Sequence, residues 1–432
     1  MNILIFTNTF TPLVGGVARS VEAFTAEYRK CGHKVLIVAP EFPDMPENEV
    51  DVVRIEAIQN FNASDFSVTL PLYPHLSETL DAFQPDIVHS QHPFLLGMTA
   101  LRVARYRELP LVFTHHTLYE QYTHYVPGDS EALQLFIIEL ATRYANLTDQ
   151  VFAPSESIRD LLQERCVTTP IAIVPTGVHM ENFASGDGRT CRRQLDIPEG
   201  AFVVGHLGRL APEKNLEFLA QAVAGFASSH SQVHFLVIGA GPSEDAMREV
   251  FVRAGAESRY HHAGTLQGQP LADALHAMDV FAFASTSETQ GMVLTEAMAA
   301  GLPVVALDAP GVREVVKDRH NGCLLQDPTI AAFIAALEWV AKLSPDSIRS
   351  LTKAAIETAE AFSISHTADK ALALYSSTKS EAPAGASDDE RDWDDVFSWI
   401  ETEWEILKGV AGACGAAMGV GLSSGKKDQA NT

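Results

Sequence analysis

Apolar positions fall in this chain into two recurring lengths. Short continuous runs (Ile3–Phe6, Val35–Ala39, Val52–Ile55, Asp86–Ser90, Leu111–Thr114, Gln150–Ala153 and Ile171–Val174) are separated by longer stretches, several of them with helical spacing. Val17, Val21, Phe24 and Tyr28 mark one face of a helix stopped by Gly32. Unbroken apolar runs predict strands buried on both faces, and helix-period segments between them predict crossovers of a parallel sheet. A second series starts at Phe202–Leu207 and continues through a helix at Leu216–Phe226, then Val233–Ile238, Tyr260–Leu266 and Val280–Ala284. A helix at Met292–Ala300 and a strand at Pro303–Leu307 follow, then a turn at Asn321-Gly322 and helices at Thr329–Lys342 and Asp346–Phe362. His179–Gly200 is polar, rich in glycine and charge, and has no sustained apolar period, which reads as a linker. Two doubly wound α/β domains are therefore expected.

The most informative stretch is Val280–Leu307, a strand, a polar loop, a helix closed by Gly301 and the next strand. The helix N-terminus would face the carboxyl edge of the sheet, where amides of Gly291, Met292 and Val293 after Gln290 offer an anion site. Glu288 in the loop and Glu296 in the helix frame that site, so amides for phosphate sit beside carboxylates for sugar hydroxyls. The alternative is an ordinary βαβ unit with two solvated glutamates. After the second domain's first strand come Arg209 and Lys214, either a solvated loop or a cationic clamp for an anion. Near the start, Gly15-Gly16 after the first strand is either a tight turn or a place where the backbone approaches a ligand. His115, His116 and His124 follow the strand ending at Thr114. They lack the i, i+4 helical pair of zinc peptidases and have no cysteine nearby, so hydrogen bonding is favoured over metal. Gly239-Ala240-Gly241-Pro242 fails as a dinucleotide fingerprint because Glu244 occupies the third glycine position.

Strand, SETQG loop and EAMAAGLPVV, with Glu288 and Glu296 as E-x7-E, closely resemble the signature of family 4 retaining glycosyltransferases. That resemblance covers about residues 1–377 and implies the GT-B fold, two Rossmann-like domains facing across a cleft. Implied boundaries are 1–184 for the acceptor-side domain, 185–200 for the linker and 201–361 for the nucleotide-sugar domain. A helix at 362–377 crosses back, and 378–432 forms an acidic linker and amphipathic tail. The resemblance further implies that Gly16 faces the donor phosphates, that Arg209 and Lys214 clamp the diphosphate, and that Gly264 lies by the base. It assigns the sugar to Glu288, the ribose to Glu296 and a sugar hydroxyl near the reacting carbon to His116. No metal or other cofactor is expected, since the cations and the amides after Gln290 take over the role of a D-x-D-bound ion. His116-Thr117-Leu118-Tyr119-Glu120-Gln121-Tyr122-Thr123-His124-Tyr125 resembles bacterial glucosyltransferases that glycosylate diacylglycerol. Tyr119, Tyr122 and Tyr125 would line an acceptor groove. UDP-glucose is then the expected donor. The open alternatives are a soluble or polysaccharide acceptor, a sugar-nucleotide epimerase of the same fold, and a sugar-nucleotide-binding pseudoenzyme.

Charge narrows the partners. With 55 acidic against 31 basic residues the formal charge is −24, which argues against nucleic acid and against docking on anionic lipid. Five scattered cysteines without a C-x-x-C read as free thiols in a reducing cytosol. No apolar run is long enough to span a bilayer, so a cytoplasmic protein is expected, with peripheral contact to the inner membrane face as a further expectation. That contact would involve the tail, where Trp393, Val396, Phe397, Ile400, Trp404 and Leu407 share a helical face.

Overall fold

The computed structural model describes residues 1–13, 15–46, 48–58, 68–69, 76–120 and 130–381. Tyr122, Tyr125 and the 382–432 part of the predicted tail lie outside them. The chain divides into two compact units, Met1–Pro175 with the segment from Thr367 onward, and Thr176–His366.

The first unit runs β1 (Asn2–Phe6), α1 (Gly16–Lys30), β2 (Lys34–Pro40), β3 (Val52–Ile55), β4 (Ala57–Ile58), β5 (Val68–Thr69), α2 (Leu76–Phe83), β6 (Ile87–Ser90) and α3 (Leu96–Tyr106). It continues with β7 (Leu111–Thr114), α4 (Glu131–Ala145), β8 (Gln150–Ala153), α5 (Glu156–Glu164) and β9 (Ile171–Ile173). Seven strands form one sheet in the order β3-β2-β1-β6-β7-β8-β9, all parallel, and β4 and β5 pair apart from it. The unbroken apolar strands are buried, as burial on both sheet faces requires: Ile3, Ile5, Val35, Ile37, Ile87 and Val112 face one core, Leu4, Phe6, Val38, Val88 and Phe113 the other. The order reverses between β1 and β6, so the loops after these strands diverge and leave a crevice at the carboxyl edge.

The second unit contains α6 (Gly188–Gln194), β10 (Phe202–Leu207), α7 (Leu216–Ser229), β11 (Val233–Ile238), α8 (Glu244–Arg253), β12 (Tyr260–His262), α9 (Gly268–His276) and β13 (Val280–Phe283). It continues with α10 (Met292–Ala299), β14 (Val304–Leu307), α11 (Val312–Val315), β15 (Gly322–Leu325), α12 (Ile330–Ala341) and α13 (Pro345–Ala361). Its sheet, β12-β11-β10-β13-β14-β15, is again parallel and reverses between β10 and β13. Apolar helix faces such as Leu219, Val223 and Phe226 cover it, and helix starts are secured by Asp187, Thr329 and Ser344 side chains accepting backbone N–H groups.

Five expectations are corrected. The 185–200 linker is part of the second unit: Asp187 caps α6, and Cys191 and Ile197 enter its core. Residues 176–184 join that unit too, because Val178 is buried there and exchanges backbone hydrogen bonds with Phe362 and Ile364. Tyr260–Leu266 is a strand only to His262, since the chain turns at Gly264 with φ of 68°. Asn321-Gly322 is followed by an unexpected strand, β15; Asn321 is buried, donating to Val315 O and Thr358 Oγ1 while accepting from Lys317 N. The last described helix, α14 (Ile364–Glu381), extends past residue 377. From Thr367 it belongs to the first unit, with Ala368, Ala371 and Tyr375 buried against Ile3, Val35 and Ile87.

Candidate active site

In the second unit, the loops after β10 and β13 leave adjacent parallel strands at the same edge, Val204 lying opposite Val280. This adjacency brings Lys214 Nζ to 2.6 Å from Glu288 Oε1, with both side chains largely buried. Arg209 pairs with Glu213, and Ser287 Oγ donates to Glu213 O. Asn215, left-handed at φ 55°, starts α7 and donates through Nδ2 to Ala284 O. The two cations predicted as a clamp thus each carry a carboxylate partner, and the four charges cancel. What remains positive is the start of α10, where Met292 and Val293 occupy the first turn of a helix whose dipole favours an anion.

The turn into α10 is tightly held. Gly291, its N-cap, has φ of 72°, a conformation costly for any residue with a Cβ. Gly311 packs so closely that a Cβ there would lie 2.6 Å from Gln290 N. The Gln290 side chain is committed to the backbone: Oε1 accepts from Thr176 N and Nε2 donates to Thr176 O, both at 2.6 Å. In this arrangement the side chain acts as a brace that fixes the loop from which the Gly291, Met292 and Val293 amides project. Glu296 is buried within α10. One residue here escaped the sequence reading. His206, at the end of β10, is buried between Phe281 and Phe283, and its Nδ1 donates to Ala282 O. Burial pushes it down to about 4, with Lys214 lowering it and Glu288 raising it, so it is neutral at pH 7. Its only sequence signal was a histidine two positions before Gly208, inside an otherwise apolar strand.

In the first unit, α1 begins at Gly16 behind an extended Gly15 with φ of −165°. Among the described residues, a Cβ on either glycine would meet nothing within 4 Å, so the backbone at the start of α1 is open to close approach. The loops after β1 and β6 are joined by Asn8 N donating to His92 Nδ1 at 3.1 Å. After β7, His115 and His116 diverge. His115 is buried against Phe113 and Tyr119, and among the described residues neither ring nitrogen has a hydrogen-bond partner. His116 is partly open, with its Nε2 2.6 Å from Gln91 Oε1. Burial lowers His89, His92 and His115 to about 3 and His116 to about 4, so all four are neutral at pH 7. Tyr119 departs from its expected role: its ring packs edge-on against Phe94 and His115 inside the unit. Glu120 is anchored by Arg165 at 2.6 Å.

Two Rossmann-like units, each with a crevice at its topological switch, define the GT-B fold. Anabaena HepE, solved with UDP-glucose, shares it with a TM-score of 0.68 at 20% identity, over 87% of this chain and 100% of that one. Residues 14–182 match the model for "Glycosyltransferase Family 4" and 187–359 that for "Glycosyl transferases group 1". An alpha-monoglucosyldiacylglycerol synthase of Streptococcus pneumoniae is 30% identical over 330 residues, 75% of each chain. A GDP-mannose-dependent alpha-mannosyltransferase of Mycobacterium tuberculosis is 31% identical over 339 residues, 75% of this chain and 84% of that one. The chain belongs to the family 4 glycosyltransferases and is an enzyme of that class.

Four outcomes follow from this geometry. Lys214→Ala should weaken UDP binding by roughly 10- to 100-fold, the worth of a charge-assisted hydrogen bond. Glu288→Gln, which replaces the lysine's anionic partner by a neutral amide, should tighten UDP while slowing transfer; calorimetric titration beside turnover checks both, and weaker UDP binding by Glu288→Gln contradicts the assignment. Gly16→Ala should leave stability equal or raised by up to about 1 kcal/mol, yet depress transfer. Parent-like turnover would mean that no ligand approaches that backbone. For the buried histidines, the folded state binds fewer protons than the unfolded chain between about pH 3 and 6.5. Their contribution to stability is therefore lost as pH falls through that window. His115→Phe should raise the melting temperature more at pH 5 than at pH 8, and an equal shift at both would be the contrary result.

Proposed function

We propose that this glycosyltransferase moves glucose from UDP-glucose to diacylglycerol or a glycolipid, with retention of anomeric configuration. The observation that carries the donor half is the Lys214–Glu288 pair beside the start of α10. In this reading the diphosphate draws Lys214 toward itself and takes the amides of Met292 and Val293, so charge developing on the leaving group meets preorganised donors. Arg209 adds charge at the rim. Glu288, released from the lysine, accepts from sugar hydroxyls, Glu296 from the ribose, and His116 meets the sugar near the reacting carbon.

Support for a lipid acceptor comes from the relatives named monoglucosyldiacylglycerol synthases, in Streptococcus pneumoniae and, at 28% identity, Acholeplasma laidlawii. The SETQG loop and the His116–Tyr125 stretch point the same way. A second reading, mannose from GDP-mannose, rests on the mycobacterial mannosyltransferase of similar identity. Catalysis is proposed to run without a divalent metal, the cations and the α10 amides supplying the positive charge. The D-x-D spacing occurs in this chain at Asp392-Trp393-Asp394, in the tail beyond both matched segments. Among the described residues no helix is long and apolar enough to cross a membrane, and peripheral contact with the inner leaflet is part of the proposal.

The test is transfer of label from UDP-glucose or GDP-mannose into diacylglycerol vesicles or soluble sugar acceptors, with and without chelator. Label passing from UDP-glucose into lipid, undiminished by chelation, is the expected result. Label from GDP-mannose alone, label only in water-soluble products, or activity restored only by added magnesium or manganese overturns the corresponding part.

A further inference from the structure

A buried polar chain in the first unit ends beside the candidate catalytic histidine. Tyr28 and Tyr375 are fully buried, Tyr375 on α14 stacking on Phe152. Tyr28 Oη donates to Tyr375 Oη at 3.3 Å, and Tyr375 Oη lies 2.5 Å from His89 Nδ1. His89 Nε2 lies 2.7 Å from Thr114 Oγ1. Donors and acceptors can be assigned in sequence. Tyr375 accepts from Tyr28, so its own proton goes to His89 Nδ1. A neutral His89 then carries its hydrogen on Nε2 and donates it to Thr114. Burial keeps His89 neutral, with any charge on His116 disfavouring protonation further.

The two ends of this chain matter for position. Val112 on β7 lies opposite His89 on β6, so Thr114 is the last β7 residue before the His115-His116 loop, and Gln91 leaves β6 just after His89. The loop is thus tied to β6 twice, by His89 to Thr114 and by Gln91 to His116 at 2.6 Å. His89 meets two mutually stacked rings edge-on, Phe152 at 5.4 Å and Tyr375 at 5.6 Å, which restrict its ring on that side. A hydroxyl from α14, far along the chain, therefore sets which nitrogen of His89 donates to Thr114.

We propose that Tyr375, acting through His89 and Thr114, is a positioning residue for His116, so that α14 carries part of the active-site alignment as well as core packing. This rests on the reading that His116 meets the transferred sugar. Tyr375→Phe keeps the ring and removes only the hydroxyl. It should lower kcat by about tenfold while leaving KM for the nucleotide-sugar within about twofold, the pattern of a misplaced reacting group. Thr114→Val, removing the other end, should do the same. Tyr28→Phe removes a similar buried hydroxyl, but the Tyr375 proton still has His89 Nδ1 as its acceptor at 2.5 Å, so the variant should stay near the parent. In a His116→Ala background, Tyr375→Phe should change nothing further. Parent-like kcat in Tyr375→Phe, an equal loss in Tyr28→Phe, or the same tenfold loss with His116 absent would overturn the inference. If His116→Ala itself turns over like the parent, the role given to His116 is at fault, a different failure that this set of variants identifies.

Discussion

The Lys214–Glu288 ion pair is the constraint on which the second unit's ligand edge depends. At 2.6 Å and largely buried, it locks the loop after β10 to the loop after β13. Burying two charges is costly unless they meet, so neither side chain can be removed without leaving the other exposed to an unfavourable interior. With Arg209 paired to Glu213 as well, the charges at this edge balance. Gln290 complements it with a second, uncharged lock, both amide atoms spent on Thr176, so the start of α10 is held from two sides.

The first unit uses the same topology with different means. Its carboxyl edge carries neutral polar groups, Asn8 bonded to His92 and Gln91 bonded to His116. Lowered histidine pKa values follow from burial, and they suit hydrogen bonding to an uncharged sugar better than attraction of phosphate. Charge lies with the unit proposed to hold the diphosphate, and neutrality with the unit proposed to meet the sugar and acceptor.

How much of this was legible in the sequence depended on the range of the interaction. β10 and β11 were readable to the residue because unbroken apolar runs are themselves the physical condition for a doubly covered strand. The loop and helix around Glu288 and Glu296 were readable because strand, turn glycine and helix are consecutive. By contrast, Lys214 and Glu288 are 74 positions apart, and Tyr375 and His89 are 286 apart. Sheet order brings the first pair together and the packing of α14 the second, and nothing local announces either. Gln290 was assigned to the ligand for the same reason, its Thr176 partner lying 114 positions away. The segment 185–200 looked like a linker because α6 is short and its buried side chains, Cys191 and Ile197, are too few to set a period. β15 was missed behind Asn321-Gly322, where a turn pair conceals a buried asparagine bonded into its surroundings.

The start of α10, with Lys214, is the proposed binding place of a nucleotide diphosphate. A crystal structure of the full chain with UDP tests it most directly. The account predicts phosphate oxygens at about 2.7–3.2 Å from the amides of Met292 and Val293 and from Lys214 Nζ, with the Lys214–Glu288 contact lengthened. UDP seated elsewhere, or seated here with that ion pair unchanged and the α10 amides untouched, would contradict it.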